Sequence, residues 1–523
     1  MGYIFQDEKY CTKCYFALMR KAFTIRTVRT ASGATAVQVI QCANNKRVVV
    51  KHIGSAHTKD ELTALRCEAE RVCGQLSPQL SLFSSTESPA RLMHMDHLAL
   101  QAVTHCFAHE ALRQCCQLCG LGFLPPLYQD LALMRIIEPT SKLRTITLLQ
   151  RYFNVSYAER TVYRLLPKLI KQKENIENAA YQTAHTHFGE SFALVLYDVT
   201  TLYFESHEPD DELRARGFSK DDKSKQPQIV VGLLVTPQGF PLMHEIYKGN
   251  TFEGHTMLDV VKKFQKSHAD ARPIVVADAA MLSRENMQYL DSEGYQYIVG
   301  ARLANTPRSF IDTIASSIDR KDGIMIRLPY PNRSYDVVCA YSSQREKKDK
   351  RQFEKQITKA MQLIARKEAG KRAKFVKKSP DGKSSFILDE DLKEKTEKLL
   401  GIKGYCTNIP EGEITNEQII SYYHDLWRIE QAFRISKTDL KTRPIFHYAH
   451  DAIQAHVLLC FMALMMGKFL EIKTRLSLQH VRDILWNVHE AHIEDTLTGK
   501  RVTLQTNLTE YNSSGLADII KMH

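Results

Sequence analysis

Between residues 191 and 301 the sequence changes from helical to strand periodicity, and this block constrains the fold more than any other part. Runs of β-branched and apolar residues predict strands, and Pro237-Gln238-Gly239 predicts a turn between two of them. Three strands are followed by a helix, a strand, a helix and a strand, so we expect an α/β domain with a mixed sheet and flanking helices. The predicted strands are 192–204, 228–236, 241–247, 274–280 and 295–301, and the predicted helices are 255–268 and 283–292.

Three carboxylates occupy apolar surroundings. Asp198 lies inside the strand VLYDVTTLYF, Asp278 lies near the end of IVVADAA, and Glu430 lies among apolar residues of a helix predicted over 416–440. A carboxylate at such a site is costly unless it is paired, hydrogen-bonded or bound to metal, so structural ion pairs are the plain alternative. Acids on the first strand, after the fourth strand and on a late helix match the ribonuclease H-like nuclease plan, where they hold two divalent cations. Oxygen ligands favour Mg²⁺ or Mn²⁺.

The helix around Glu430 predicts a polar stripe. Tyr423 lies seven residues before Glu430 and Lys437 seven residues after it, which is nearly two helical turns in each direction. Arg434 follows Glu430 by four residues and faces the same side. Such a stripe suits a surface that holds metal ions and flanking phosphates. The alternative is an ordinary amphipathic helix with a Glu430–Arg434 salt bridge.

The net charge indicates a polyanionic partner. The chain carries 71 Lys/Arg and 59 Asp/Glu, a net charge of +12. Residues 345–383 contain 15 Lys/Arg and 5 Asp/Glu, so a net charge of +10 is concentrated there. Nucleic acid is the commonest partner of such a chain. The segment is therefore predicted to face DNA phosphates, with a solvated helix and loop as the alternative.

A candidate helix-turn-helix spans 141–171. Residues 141–153 predict one helix, Asn154-Val155-Ser156 a turn, and 160–171 a second helix that could enter a major groove. Arg160 and Arg164 are its candidate DNA contacts. An ordinary helical hairpin is the alternative.

The remaining features of the sequence predict how the chain is divided into regions. The longest apolar run, 457–466, is too short to span a membrane and predicts a buried helix, and no signal peptide is evident at the N-terminus. The predicted divisions are 1–22, an extension of unknown role; 23–75, a small α+β module; 76–95, a linker; 96–190, a helical DNA-binding region; 191–304 and 406–480, the catalytic domain; 305–405, a basic insertion; and 481–523, a C-terminal tail.

Several segments together resemble DDE transposases of prokaryotic insertion sequences. They are LYDVTTLYFE, VVADAAMLS and YHDLWRIEQAFRISKTDLKTRPIFH, with IRTVRTASGATAVQVI, EPTSKL and RGFSKDDKSKQPQIVVGLLV elsewhere in the chain. The resemblance is to the branch with a Y-R-E-K signature around the catalytic Glu. It implies a ribonuclease H-like catalytic domain interrupted by an insertion before the Glu helix. It also implies Mg²⁺-dependent strand cleavage and transfer at inverted repeats by a homodimer bound to double-stranded DNA.

The resemblance assigns roles residue by residue. Asp198, Asp278 and Glu430 match the catalytic metal ligands, which hold two Mg²⁺ or Mn²⁺ ions. Tyr423 and Lys437 match the signature residues that contact DNA phosphates near the cut, whereas the signature Arg position holds Leu426.

The sequence thus predicts a DNA transposase of a mobile element, acting in the nucleoid-associated cytoplasm of a prokaryote without a membrane partner. Three other readings stay open: a transposase-derived DNA-binding protein without catalysis, a metal-dependent nuclease that cuts without joining, and a phosphohydrolase of small substrates. Strand-transfer products distinguish the transposase from the nuclease.

Overall fold

The structure is a computed structural model, and it describes residues 23–43, 46–76, 97–205, 211–217, 226–269, 271–281, 283–366, 374–379, 386–496 and 499–521. The predicted extension, 1–22, and nearly all of the predicted linker, 76–95, lie outside the described residues. Parts of the basic segment 345–383 also lie outside them.

Strands are labelled in chain order. They are β1 Phe23–Arg29, β2 Thr35–Ala43, β3 Lys46–Ala56, β4 Leu98–Thr104, β5 Leu194–Tyr203, β6 Gln228–Val235, β7 Pro241–Lys248, β8 Ile274–Ala277, β9 Tyr297–Gly300, β10 Met325–Pro329, β11 Asp336–Tyr341, β12 Val376–Lys378, β13 Phe386–Leu388, β14 Ile402–Thr407, β15 Glu490–Asp495 and β16 Arg501–Gln505.

Helices are labelled in the same way. They are α1 Lys59–Leu76, α2 Cys106–Leu118, α3 Pro126–Ile137, α4 Lys142–Phe153, α5 Glu159–Leu165, α6 Lys173–Phe188, α7 Met257–Ser267, α8 Arg284–Ser292, α9 Arg308–Ser317, α10 Ser343–Ala365, α11 Glu390–Lys398, α12 Asn416–His424, α13 Trp427–Arg434, α14 His450–Thr474, α15 Leu478–Trp486, α16 Thr509–Ser513 and α17 Leu516–Ile519.

The chain divides into two compact units. The first contains residues 1–107 and 488–507, and the second contains 108–487 and 508–523. Two boundaries differ from the sequence prediction. Part of the region predicted as helical, 96–190, forms β4, and the predicted tail, 481–523, contributes β15 and β16, which join β4 in a three-stranded sheet. This pairing links positions almost 400 residues apart, so local periodicity could not show it.

Within the first unit, β1, β2 and β3 form an antiparallel sheet that packs on α1. Val37 and Val39 alternate along β2 and pack on Leu65 and Ala69 of α1. This alternation is what a strand buried on one face requires. The result is a small α+β module.

The second unit is built on an eight-stranded mixed sheet in the order β10-β11-β14-β9-β8-β5-β6-β7. β5, β6 and β7 are antiparallel neighbours, whereas β8 and β9 run parallel to β5 and to each other. Numbered from β5, this part has the order 3-2-1-4-5 of a ribonuclease H-like sheet. The predicted α/β fold class, with a mixed sheet and flanking helices, is confirmed.

The predicted basic insertion, 305–405, is not separate from this sheet. β10, β11 and β14 extend it beyond β9, and α9 packs on them through Phe310 and Ile314. Farther along, Phe353 of α10 and Phe375 form a small second core. Antiparallel pairing of β14 with β9 returns the chain to the part of the sheet formed by β5, β8 and β9.

Helix α14 is buried over most of its length, from Ile453 to Leu470. It is the one helix among the described residues that is long and apolar enough to cross a membrane, but 94% of its most apolar stretch is buried inside the protein. The buried helix predicted from 457–466 is confirmed.

The candidate helix-turn-helix differs from its prediction. α4 ends at Phe153, where Asn154 adopts a left-handed conformation, as predicted for the turn. The second helix, predicted over 160–171, ends as an α-helix at Leu165 and continues as a 3₁₀ helix over Leu166–Gln172. Pro167 lacks the N–H that an α-helix needs there, so the α-helix is only seven residues long.

Candidate active site

Asp198 and Asp278 lie on or directly after neighbouring parallel strands. Tyr197 of β5 is paired with Ala277 of β8; Asp198 is the next residue of β5, and Asp278 directly follows the end of β8. Adjacent strands are about 4.8 Å apart, so the two carboxylates start from neighbouring backbone positions. The side chain of Asp198 is half-buried and that of Asp278 is exposed. The two acids therefore share one region of the sheet.

Tyr423 joins this region from α12. A capping box of Thr415 and Gln418 fixes the start of this helix. Near its end the buried Tyr423 donates a hydrogen bond of 3.2 Å from its hydroxyl to Oδ1 of Asp278. Gly300, the last residue of β9, leaves space for the ring, since a Cβ there would lie 2.5 Å from the Tyr423 hydroxyl oxygen.

The environment keeps Tyr423 protonated. Burial raises the pKa of Tyr423, and the negative charge of Asp278, with a weaker contribution from Asp198, raises this pKa further. A neutral phenol is the form that can donate to a carboxylate. Tyr423 therefore acts as a fixed donor to Asp278.

Lys403 of β14 was missed by the sequence reasoning. Its ammonium lies 4.4 Å from the ring centroid of Tyr423 and 5.3 Å from that of Tyr405. Burial and the nearby Arg345 guanidinium lower the pKa of Lys403, while the carboxylates of Asp278 and Glu430 oppose that shift. The one available signal was a lysine inside the otherwise uncharged strand IKGYCT. Its position beside the acids depends on strand pairing across the insertion.

Glu430 lies on α13, and its side chain is exposed. Ile429, Ala432 and Phe433 form the buried face of this short helix. Because Glu430 and Asp278 both act on Lys403, the Glu lies within electrostatic reach of the same cation as Asp278.

The predicted continuous helix over 416–440 is wrong. α12 ends at His424 and α13 begins at Trp427, so the helix is interrupted between Tyr423 and Glu430. After Arg434 the chain forms a π-helical turn over Ile435–Asp439. Because this geometry changes the angle per residue, Tyr423, Glu430 and Lys437 do not lie on one regular α-helix, which the seven-residue spacing assumed.

The residues of this segment that were predicted to contact phosphate differ in their exposure. Arg434 is exposed one turn after Glu430, whereas Lys437 is half-buried in the π-helical turn. Thr442 closes this turn by donating a hydrogen bond of 2.7 Å from its hydroxyl to the carbonyl oxygen of Ser436. Leu426, at the signature Arg position, is buried.

Arg160 and Arg164 are exposed and lie one turn apart on α5. The main packing partners of α5 are the adjoining 3₁₀ helix and α4. Neither of these elements carries Asp198, Asp278 or Glu430. The structure therefore places these two arginines on a different element from the acids.

A cleft of about 620 Å³ lies on the insertion side of the acids. Its walls carry Arg345, Lys403, Tyr405 and His424, together with the acids Glu417 and Asp425. Lys403 and Tyr405 also contact Tyr423. The cleft therefore shares Lys403 and Tyr405 with the surroundings of Tyr423.

The chemistry of the three acids suits hard divalent cations, because they offer only carboxylate oxygens. The positions of the three acids, however, do not form a complete set of metal ligands. Among the described residues, no group of three or more His, Cys, Asp or Glu side chains is close enough to hold a metal ion. The structure thus brings Asp198 and Asp278 around Tyr423, and Asp278 and Glu430 around Lys403, without a closed ligand set.

Comparison with known proteins gives a family and a distant structural similarity. The sequence profile of the family described as "Transposase DDE domain" matches residues 192–466, more than half of the chain. A cryo-EM structure of a piggyBac transposase synaptic complex with hairpin DNA is similar at 10% sequence identity, with a TM-score of 0.37, over 73% of this chain and 76% of that chain. No curated protein matches.

Proposed function

Because the chain belongs to the transposase DDE domain family, we propose that it is a DNA transposase that cuts at the inverted repeats of its insertion sequence. It then joins the 3′-OH ends to target DNA. The family match supports transposition in general, and the residues around Tyr423 support the finer assignment.

The hydrogen bond from Tyr423 to Asp278 carries the proposal. It ties the helix before Glu430 to the strand that carries the second acid, across 145 residues of sequence. Oδ1 of Asp278 accepts from a neutral phenol and from the backbone N–H of Ala279, and neither donor neutralises the carboxylate. Such an acceptor keeps its charge available for a cation.

Asp198, Asp278 and Glu430 are the proposed ligands of two Mg²⁺ or Mn²⁺ ions. When bound, such ions supply an activated oxygen nucleophile and stabilise the leaving oxygen. The protein residues position the ligands and balance charge. Tyr423 holds Asp278 in one orientation, and Lys403 provides positive charge beside the site where phosphate charge accumulates.

DNA phosphates are the proposed partners of the cationic residues near the cut. Arg434 and Lys437 follow Glu430 along the chain, and Arg345 lines the adjoining cleft. Arg160 and Arg164, exposed on α5, would contact DNA away from the acids. We place the reaction in a synaptic homodimer on double-stranded DNA, in the nucleoid of a prokaryote.

A cleavage and joining assay tests the proposal. The full chain is incubated with Mg²⁺, a labelled duplex carrying the sequence that flanks the coding region, and a target plasmid. The expected products are a free 3′-OH at the element end and plasmid joined to it. Cleavage without joining would indicate a nuclease instead of a transposase, and binding without cleavage would indicate a DNA-binding protein.

Glu430→Gln is the matched variant, because it removes a charge from an exposed side chain without changing its shape. It should bind the duplex as the parent does and lose both products. Glu174→Gln, an exposed acid in the first turn of α6, is the control and should keep both.

A further inference from the structure

A small cavity lies beside the helix that carries Glu430. It has a volume of about 30 Å³, enough for about one or two water molecules. The central sheet forms one wall, and α13, the π-helical turn after it and α14 form the other. Apart from the half-buried Ser436, every residue of the lining is buried. Such unfilled space is destabilising, because the side chains around it lose packing contacts.

Asp198 lies on the face of the sheet that borders this cavity. Because side chains alternate along a strand, Asp198, Thr200 and Leu202 of β5 share one face. Thr200 and Leu202 line the cavity. Leu233 of β6, which is paired directly with Asp198, lines it as well. The first acid is therefore a neighbour of the cavity wall.

Phe433 of α13 lines the cavity from the opposite wall. It follows Glu430 by three residues, so the two side chains are neighbours on the helix. α13 packs on β5, the strand of Asp198. A shift of α13 into the cavity would therefore carry Glu430 toward β5.

Neither Glu430 nor the ends of its helix are held rigidly. Within the part of the chain that the structure describes, the Glu430 carboxylate makes no hydrogen bond or ion pair. α13 has only eight residues, a break separates it from α12, and a π-helical turn follows it. Irregular turns of this kind are frequent at functional sites. Both ends of α13 can therefore adjust to a small shift.

We propose that α13 moves into this cavity when a divalent cation binds, so that Glu430 joins Asp198 and Asp278 as a ligand. The structure then represents the open form, since the three acids do not form a metal-binding group among the described residues. Shifts of about 1–2 Å are usual for packed helices. Cation binding favours the closed form, because only that form offers three carboxylates.

Rotation of the Glu430 side chain alone is the competing explanation. Such a rotation needs no empty space behind α13, so filling the cavity would leave metal binding unchanged. A shift of the whole helix needs that space. The inference rests on the proposed function, because it concerns the metal ligands assigned there.

Two variants fill the cavity from different walls. Val231→Ile adds a methylene from β6, and Val457→Ile adds one from α14. The full chain is titrated with Mn²⁺ in a calorimeter, without DNA. Each variant should bind Mn²⁺ about tenfold more weakly than the parent, because the added group overpacks the closed form.

Val481→Ile is the matched control, because Val481 is a buried valine of α15 that does not line the cavity. It should bind Mn²⁺ as the parent does. In EDTA, both filled variants should unfold at the urea concentration of the parent or above it, since the methylene enters empty space. Unchanged Mn²⁺ affinity in both filled variants, an equal loss in Val481→Ile, or a lower urea midpoint in both filled variants would overturn the inference.

Crystals of the full chain grown in EDTA and in Mn²⁺ give a structural comparison. With Mn²⁺ we expect the Cα atoms of Glu430 and Asp198 to be closer together and the Phe433 ring to occupy the cavity. Three carboxylates bound to Mn²⁺ with the cavity still open would overturn the inference.

These outcomes are separable from those of the proposed function. Metal affinity is measured without DNA, so a chain that closes on Mn²⁺ but makes no joined product contradicts only the transposase assignment. A chain that cuts and joins, while both filled variants bind Mn²⁺ as the parent does, contradicts only the movement of α13.

Discussion

The hydroxyl of Tyr423 and the carboxylate of Asp278 are joined by a hydrogen bond of 3.2 Å. The donor lies near the end of α12 and the acceptor follows β8, so this contact joins the helical segment before Glu430 to the central sheet. The Lys403 ammonium lies 4.4 Å from the centroid of the same ring. The Tyr423 ring therefore connects the insertion, the sheet and the proposed metal ligands.

Tyr423→Phe removes the hydroxyl and keeps the ring. A hydrogen bond to a charged acceptor contributes about 1.5–3 kcal/mol, so the cleavage rate should fall by about 10- to 100-fold. Tyr405→Phe is the control, because the Tyr405 hydroxyl meets His424 and no carboxylate. Single-turnover cleavage of a labelled duplex measures both. Equal rates in the two variants would show that the bond to Asp278 does not position the site.

Lys403→Gln removes a positive charge beside Asp278 and Glu430. Without DNA, the site should then bind Mn²⁺ about fivefold more tightly, because a repulsion of about 1 kcal/mol is lost. With DNA present, cleavage should slow, because phosphate charge is less well balanced. Lys266→Gln, an exposed change in the last turn of α7, is the control. Calorimetric titration with Mn²⁺ gives the affinity, and unchanged affinity in Lys403→Gln would contradict the placement.

Asp130 is a buried carboxylate with three partners in the helical region. Its oxygens meet His109 at 2.9 Å, Arg113 at 3.3 Å and the Tyr157 hydroxyl at 2.5 Å. Because Tyr157 lies between α4 and α5, this cluster fixes the turn that precedes Arg160. Asp130→Asn should lower the free energy of unfolding by about 3–5 kcal/mol, because it leaves buried partners unsatisfied.

The control for Asp130 is Asp483→Asn, whose carboxylate pairs with Arg482 at the surface. Such a pair contributes about 0–1 kcal/mol. Urea unfolding of both variants gives the comparison, and a similar loss in both would show that the Asp130 cluster does not stabilise the helical region.

Lys142 is buried beside two other cationic or titratable groups, Arg135 and His456, with His447 and Cys460 close by. Burial, with the Arg135 guanidinium, lowers the pKa of Lys142 from 10.5 to about 7. Between these values the unfolded chain keeps a proton that the folded chain has released. Stability should therefore rise with pH across this window, by up to about 1.4 kcal/mol per pH unit.

Lys142→Met removes this dependence while filling the same space. The free energy of unfolding of the parent chain, minus that of Lys142→Met, should increase from pH 7.5 to 9.5. Urea unfolding at several pH values measures it. A constant difference would show that Lys142 keeps its proton in the folded protein.

The sequence predicted the order of strands and helices along the chain because β-branched runs such as IVVADAA specify strands locally. It placed Asp198 within the first strand and Asp278 after the fourth for the same reason. It did not predict the interruption between Tyr423 and Glu430, because regular seven-residue spacing assumes an unbroken helix. Lys403 was missed because its position depends on β14 pairing with β9, about 100 residues away along the chain. β15 was missed likewise, since its partner is β4.

The most direct test is the position of bound metal. A crystal structure of the full chain with duplex DNA and Mn²⁺, with anomalous diffraction measured at the manganese edge, locates the ions. We predict two peaks about 4 Å apart, bridged by a carboxylate, with Asp198, Asp278 and Glu430 as the protein ligands. Peaks that do not involve Glu430, or none beside Asp198 and Asp278, would contradict the assignment of this site as the catalytic centre.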